Sequence, residues 1–147
     1  MAFGLQRAAL AGSLLAVALA LSAAPAMAAH PSVTVRDSRF GAIVTDGGGR
    51  TLYLFTRERS ARSRCYGSCA AAWPPLIVHG PLVAGRGARR GLLGTTRRRD
   101  GSRQVTYRGH PLYYYVGERR AGEILCQNVV EFGGTWLVVS PVGKAIR

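Results

Sequence analysis

Three cysteines, Cys65, Cys69 and Cys126, carry the most reactive side chains of this sequence. In exported proteins such thiols usually form disulfides, and three cysteines allow three different pairings. The spacing Cys-x-x-x-Cys, together with His79 or His110 from elsewhere in the chain, would also provide ligands for copper(I) or zinc. The residues alone therefore leave two uses open, a disulfide and a thiol-based metal or redox site.

The rest of the sequence offers little for catalysis or for a bound cofactor. Both methionines precede residue 29, so a processed chain lacks the methionine ligand of blue-copper sites, and no Cys-x-x-Cys-His motif for haem attachment occurs. The histidines have no neighbouring serine or cysteine in a nucleophile motif, and the seven acidic residues are dispersed. We therefore expect no catalytic residues, no cofactor and no enzymatic activity.

A motif of tyrosine, aromatic residue and glutamate occurs twice, with an offset of 60 residues. The first copy contains Tyr53, Phe55 and Glu58, and the second contains Tyr113, Tyr115 and Glu118. Repetition of a whole segment favours two copies of one β unit over a single active site. We expect the tyrosines that open the two copies to pack their rings in the core and to bond their hydroxyls to a backbone or carboxylate partner. For the two glutamates, whose role the sequence leaves open, the simplest expectation is that they face water.

Each copy of the motif lies in a segment that is typical of a β-hairpin. Residues 42–46 and 51–56 flank three consecutive glycines, and residues 103–107 and 111–116 flank Arg108-Gly109. Glycine supplies the positive φ angles that such turns require. The second strand of each predicted hairpin is apolar on both of its faces, which indicates a strand covered on both sides.

The remaining segments predict a small all-β fold. The alanine-rich residues 68–73, which precede Pro74-Pro75, favour one short helix. We expect two tandem, pseudo-equivalent, hairpin-based repeats packed as one small sandwich or barrel, with a core dominated by Trp73, Trp136, Tyr53, Phe55, Tyr113 and Tyr115. The predicted organisation is a leader or edge strand at 29–39 and one domain at 40–147, with repeats at about 40–79 and 100–143 joined by an Arg/Gly-rich connection.

The first 28 residues have the pattern of a secretory signal peptide. Arg7 precedes an apolar stretch from residue 8 to about residue 24, and Ala26-Met27-Ala28 has the small-x-small spacing of a cleavage site. No cysteine precedes Cys65, so the sequence has no thiol for a lipid anchor near that site. We expect a protein that is secreted or held in the periplasm or cell envelope, soluble, and without a transmembrane segment after cleavage near Ala28.

The chain is strongly basic, with 20 Lys and Arg against 7 Asp and Glu and a formal net charge of +13. Arginines cluster at residues 57–64 and again at 86–103. From the second cluster we predict a basic patch formed by Arg86, Arg89, Arg90, Arg97, Arg98 and Arg99. Because export makes nucleic acid an improbable target, the expected partner is an anionic component of the envelope. The alternative is an ordinary solvated surface.

Longer motifs resemble a known family. They include Cys65-Tyr-Gly-Ser-Cys69-Ala-Ala-Ala-Trp73-Pro-Pro-Leu76 and Gly133-Gly134-x-Trp136, besides the duplicated tyrosine motif. Together they resemble a secreted repeat family of unknown function, described as predicted lipoproteins with a Tyr-x-aromatic-x-x-Asp repeat. The resemblance covers roughly residues 40–143 and implies no established reaction, cofactor or partner.

The resemblance also bears on the cysteines. Cys65 and Cys69 stand together in a family-like motif, which implies a disulfide between them and a free Cys126. The chain departs from the family in having glutamates for the motif aspartates, in lacking a lipid-attachment cysteine, and in having Cys126. The function expected first is an exported, non-catalytic, envelope-associated binding or structural protein. The alternative is a copper-, zinc- or redox-active thiol protein that uses Cys65, Cys69, His79 and His110.

Overall fold

A computed structural model describes residue 1 and residues 32–147, so the predicted signal peptide lies outside the described residues. Within that range the chain forms short strands and very little helix. The elements, in chain order, are β1 (Thr34–Ser38), β2 (Gly41–Thr45), β3 (Tyr53–Phe55), α1 (Ser68–Ala72), a 3-10 turn (Arg90–Leu92), β4 (Leu93–Arg97), β5 (Arg103–Tyr107), β6 (His110–Pro111), β7 (Val129–Glu131) and β8 (Gly134–Val138). The predicted all-β class is confirmed, and α1 falls within the predicted helical segment.

The strands form three small antiparallel sheets. Their orders are β1-β2, β3-β8-β7 and β4-β5-β6. Val35 lies opposite Val44 in the first sheet, Leu54 opposite Leu137 in the second, and Thr95 opposite Val105 in the third. Each repeat thus contributes an initial strand pair, and the middle sheet combines β3 from the first repeat with β7 and β8 from the second.

The two repeats interlock at the motif tyrosines. Tyr53 and Tyr113 exchange both backbone hydrogen bonds, at N–O distances of 2.8 and 3.0 Å. On its other edge Tyr53 pairs with Val138 of the second repeat, and Tyr113 pairs with Pro75 of the first. The last segment of each repeat therefore pairs with the motif strand of the other repeat, and the two halves share one core.

The two predicted hairpins differ in outcome. In the second, Arg108 and Gly109 take φ angles of 50° and 76°, and Tyr107 lies opposite His110. In the first, the chain turns around the glycines and pairs only at Thr45 and Thr51. The predicted first hairpin is wrong beyond that bridge, because β3 leaves β2 to pair with β8 and with the second motif tyrosine.

Two hydrophobic clusters cover the opposite faces of β3, as its doubly apolar sequence predicts. One cluster contains Tyr53 and Phe55, and the other contains Leu52 and Leu54. In the aromatic cluster Trp136 lies between two parallel rings, with its centroid 4.1 Å from that of Phe55 and 4.0 Å from that of Trp73. Five of the six predicted core aromatics are buried, while Tyr115 is half-buried against Trp73.

Candidate functional site

The repeated glutamates bond to the repeated tyrosines across the repeat boundary. The Tyr53 hydroxyl donates to Glu118, and the Tyr113 hydroxyl donates to Glu58 Oε1 at 2.5 Å. The glutamates are only 3% and 2% exposed, and both tyrosines are fully buried. The expectation that the glutamates face water is therefore wrong, since each carboxylate serves as the polar partner of a core tyrosine.

Each glutamate also closes the loop that follows it. The backbone N–H of Arg64 donates to Glu58 Oε1 at 2.7 Å, and that of Leu125 donates to Glu118 Oε1 at 2.7 Å. We call residues 57–64 the first loop and residues 117–125 the second loop. Burial raises the pKa of Glu58 to about 7, against the opposing hydrogen bond from Tyr113, and burial likewise raises the pKa of Glu118.

Arg98 ties the second repeat to the first loop. Its guanidinium donates to Ser63 Oγ, to Gln104 Oε1 and to the carbonyl oxygen of Cys65, each at 2.8 Å. The residue is only 6% exposed, so its inclusion in the predicted basic patch is wrong. A guanidinium with three internal acceptors holds the loop in place and does not present its charge to solvent. The other predicted patch residues are exposed: Arg86, Arg89, Arg90, Arg97 and Arg99.

Cys65 and Cys69 form a disulfide, and Cys126 is a buried free cysteine. The pairing implied by the family resemblance is thus confirmed. The bridge joins the end of the first loop to α1. Across residues 32–147 no three His, Cys, Asp or Glu side chains form a group that could hold a metal ion, so Cys65, Cys69, His79 and His110 do not come together as a ligand set.

A groove lined by arginines surrounds the first loop. Three cavities, of about 550, 350 and 400 Å³, all include Arg57 and Arg64 in their walls. No Asp or Glu of the described residues lines any of the three. Guanidinium groups match the geometry of carboxylate and phosphate, so this surface suits anionic ligands. The arginine groove consists of the exposed residues Arg57, Arg59, Arg62, Arg64 and Arg99.

Comparison with known families agrees with the duplicated architecture. A family model described as "Secreted repeat of unknown function" matches residues 34–77 and again residues 94–140. The chain belongs to this secreted-repeat family. Membership places the chain among secreted proteins and confirms the resemblance seen in the sequence. No curated protein and no solved structure matched the chain significantly. In the described part of this family member, no helix has both the length and the apolar character needed to cross a membrane.

In this secreted-repeat protein the largest cavity of the arginine groove has aromatic walls. Phe55, Tyr66 and Phe132 line it together with Cys69 of the disulfide. The guanidinium carbon of Arg99 lies 4.4 Å from the centroid of the Tyr66 ring, as does that of the buried Arg98. Such contacts orient an arginine side chain over an aromatic face. The groove therefore combines cationic side chains with aromatic surface at one end.

The arginine groove draws mainly on the cluster at residues 57–64 and not on the patch predicted from the sequence. Four of the five groove arginines come from the first loop, where arginine recurs every two or three residues between Thr56 and Cys65. That spacing was a usable signal, because a short loop with so many like charges must present most of them to solvent. The predicted patch contributes only Arg99 to the groove.

Proposed function

We propose that this chain is an exported, non-catalytic binding protein of the cell envelope that holds an anionic envelope component in the arginine groove. The observation that carries the proposal is the convergence of five exposed arginines on adjoining cavities with no carboxylate among their lining residues. Uncompensated like charges destabilise a folded protein through mutual repulsion, and a bound anion relieves that repulsion.

The frame beneath the groove favours binding by a preformed surface. The first loop is fixed at its start by Glu58, near its end by Arg98, and beyond its end by the Cys65–Cys69 bridge. A loop already held in one conformation loses little conformational entropy when a ligand binds. The buried polar network thus acts as the support of the groove and needs no chemical reactivity of its own.

The thiol-based metal or redox alternative receives less support from the same residues. Its metal-binding form requires Cys65 and Cys69 as thiolates, whereas the two sulfurs are bonded to each other, and a redox form would have to begin from this disulfide. The exported form that we propose begins after cleavage near Ala28 and carries the groove intact, since the residues lining the groove lie between positions 55 and 133.

The test compares two triple variants of the processed protein that lose the same charge. One carries Arg59→Ser, Arg62→Ser and Arg99→Ser in the groove, and the matched control carries Arg86→Ser, Arg89→Ser and Arg90→Ser. Binding to immobilised polygalacturonate and to polyphosphate is measured by surface plasmon resonance at about 50 mM and about 200 mM salt. We expect the groove variant to lose about 100-fold in affinity, because charge-assisted hydrogen bonds are strong, and the control to lose about threefold or less.

The outcomes separate a localised site from general attraction. Equal losses in the two triple variants would mean that net charge alone attracts polyanions. Absence of binding by the unmodified protein at low salt would contradict the proposed function directly. A denaturant titration of each variant checks that the folded state is retained.

A further inference from the structure

Phe132 adopts a backbone conformation that its side chain disfavours. It occupies the first position of the two-residue turn between β7 and β8, with a φ of 53°, and Gly133 follows with a φ of 78°. Turns of this type favour asparagine, aspartate or glycine at that position, and a bulky residue with positive φ is an outlier. The turn itself therefore gives no reason for phenylalanine. Outliers of this kind are concentrated at functional sites.

The exposed position of Phe132 at the arginine groove offers an explanation for a phenylalanine in this turn. The residue is 38% exposed and lines the largest cavity of the arginine groove, together with Arg57 and Arg64 of the first loop. Its carbonyl oxygen accepts a hydrogen bond from Arg57 Nη1 at 3.2 Å. Arg108 has a similar φ of 50°, but its guanidinium has an internal partner, the carbonyl oxygen of Val142 at 2.9 Å. Phe132 instead keeps part of its ring available at the groove.

The surroundings of this ring define a class of ligand. A flat apolar face with guanidinium groups beside it matches a ring that carries an anionic substituent, because the ring contacts the aromatic face while the anion meets the arginine fork. Among the described residues that line the groove, Phe132 is the one exposed large apolar side chain, since the first loop offers only Ala61. A single ring is a small apolar area for insertion into a bilayer. The adjoining cavities extend the cationic surface beyond one such unit.

We infer that the groove binds an acidic polysaccharide, with Phe132 contacting a sugar ring and Arg57 and Arg64 contacting its carboxylate. This inference rests on the proposed function and specifies its ligand. It assigns the specificity to Phe132 and the general attraction to the arginines. A phosphate polymer, which has no sugar ring, would then bind through the arginines alone.

The test is Phe132→Asn, which removes the ring and places a favoured residue at the positive φ of the turn. We expect the variant to be folded and at least as stable as the unmodified protein in a thermal melt. Affinity for oligogalacturonate is expected to fall about tenfold, because an aromatic contact of this kind contributes roughly that factor. Affinity for polyphosphate of matched charge is expected to change by about twofold or less.

Several results would overturn the inference while leaving the proposed function intact. Unchanged oligogalacturonate affinity in Phe132→Asn would remove the ring contact, as would an equal loss for both polymers. Tighter binding to phosphatidylglycerol vesicles than to oligogalacturonate would point to lipid headgroups. Failure of the unmodified protein to bind either polymer would instead contradict the proposed function itself.

Discussion

The first and second loops occupy equivalent places in the two repeats and are held by the same contacts. Each is closed by a buried glutamate that accepts from a tyrosine of the other repeat and from a backbone N–H at the end of the loop. Each also receives an arginine from the other repeat. Arg98 donates to the carbonyl oxygen of Cys65 at 2.8 Å, and Arg39 donates to that of Ile124 at 2.7 Å.

The surfaces of the two loops differ. In the second loop Glu123 accepts from the backbone N–H groups of Arg119 and Arg120 and lies 3.8 Å from the Arg120 guanidinium. The cavity beside that loop, about 350 Å³, includes Asp37 as well as Arg36 among its lining residues. The second loop thus meets its positive charges with Glu123 and the adjacent Asp37, whereas the first loop has only the buried Glu58. Duplication supplied one frame, and the two loops differ in the acidic side chains at their surfaces.

The cysteines also differ between the two repeats. Cys65 directly follows the residue whose N–H bonds Glu58, and Cys126 directly follows the residue whose N–H bonds Glu118. Four residues further on, the first repeat has Cys69 in α1 and the second has Val130 in β7, which is 74% exposed. Cys126 is therefore the counterpart of Cys65 without a bridging partner, which accounts for its state as a buried free thiol.

The largest effect expected from this comparison is on the buried carboxylates. Glu118→Ala leaves the buried Tyr53 hydroxyl and the part-buried Leu125 N–H without their acceptor, and should cost about 3 kcal/mol of unfolding free energy. Glu58→Ala should cost about 2 kcal/mol, because the Tyr113 hydroxyl retains Ser63 Oγ at 2.7 Å as a partner.

Urea unfolding followed by tryptophan fluorescence measures both losses. The variant Ser63→Ala combined with Glu58→Ala provides the control, since it removes the remaining partner and should bring the two loops to similar losses. Equal destabilisation by the two single variants would show that Ser63 does not compensate, and the contrast between the loops would then be confined to their surfaces.

The second effect concerns pH. Because burial raises the pKa of Glu58 from 4.5 to about 7, the folded state binds more protons than the unfolded state between these values. The contribution of Glu58 to stability is therefore greatest below about pH 4.5 and falls as pH rises to about 7, by up to about 3 kcal/mol. The raised pKa of Glu118 acts in the same direction.

Denaturant titrations at about pH 5 and about pH 8 measure this dependence. The variant Glu58→Gln, which cannot ionise, should flatten the fall in stability, whereas Glu118→Gln should retain the part due to Glu58. A protein that becomes more stable between these two pH values, or a Glu58→Gln variant with an unchanged slope, would contradict the assignment.

The features that were predictable from the sequence depend on local pattern. The alanines before Pro74 identify α1, Arg108-Gly109 identifies the second hairpin turn, and the doubly apolar Leu52–Phe55 segment identifies a strand buried on both faces. Each of these signals arises from neighbouring residues whose backbone preferences agree with the fold.

The features that were missed depend on partners far along the chain. The Tyr53–Glu118 bond joins residues 65 positions apart, although the recurrence of tyrosine and glutamate in register was a clue to it. In the run Arg97–Arg99 no periodicity reveals that Arg98 alone is buried, because its acceptors come from the first loop and from Gln104. The partner of β3 was likewise set by the second repeat, which turn residues do not specify.

The smallest effect expected is that of the bridge found only in the first repeat. Replacing Cys65 and Cys69 together by serine should lower the unfolding free energy by about 2 kcal/mol, because closing a five-residue loop removes little entropy from the unfolded chain. Cys126→Ala is the matched control in the second repeat. It deletes a buried sulfur without opening a bridge and should cost about 1 kcal/mol.

Urea unfolding with and without dithiothreitol separates the two contributions, because the reductant should destabilise the unmodified protein and Cys126→Ala but leave the double variant unchanged. If dithiothreitol leaves all three unchanged, the bridge does not stabilise the fold, and Glu58 and Arg98 must hold the first loop without it.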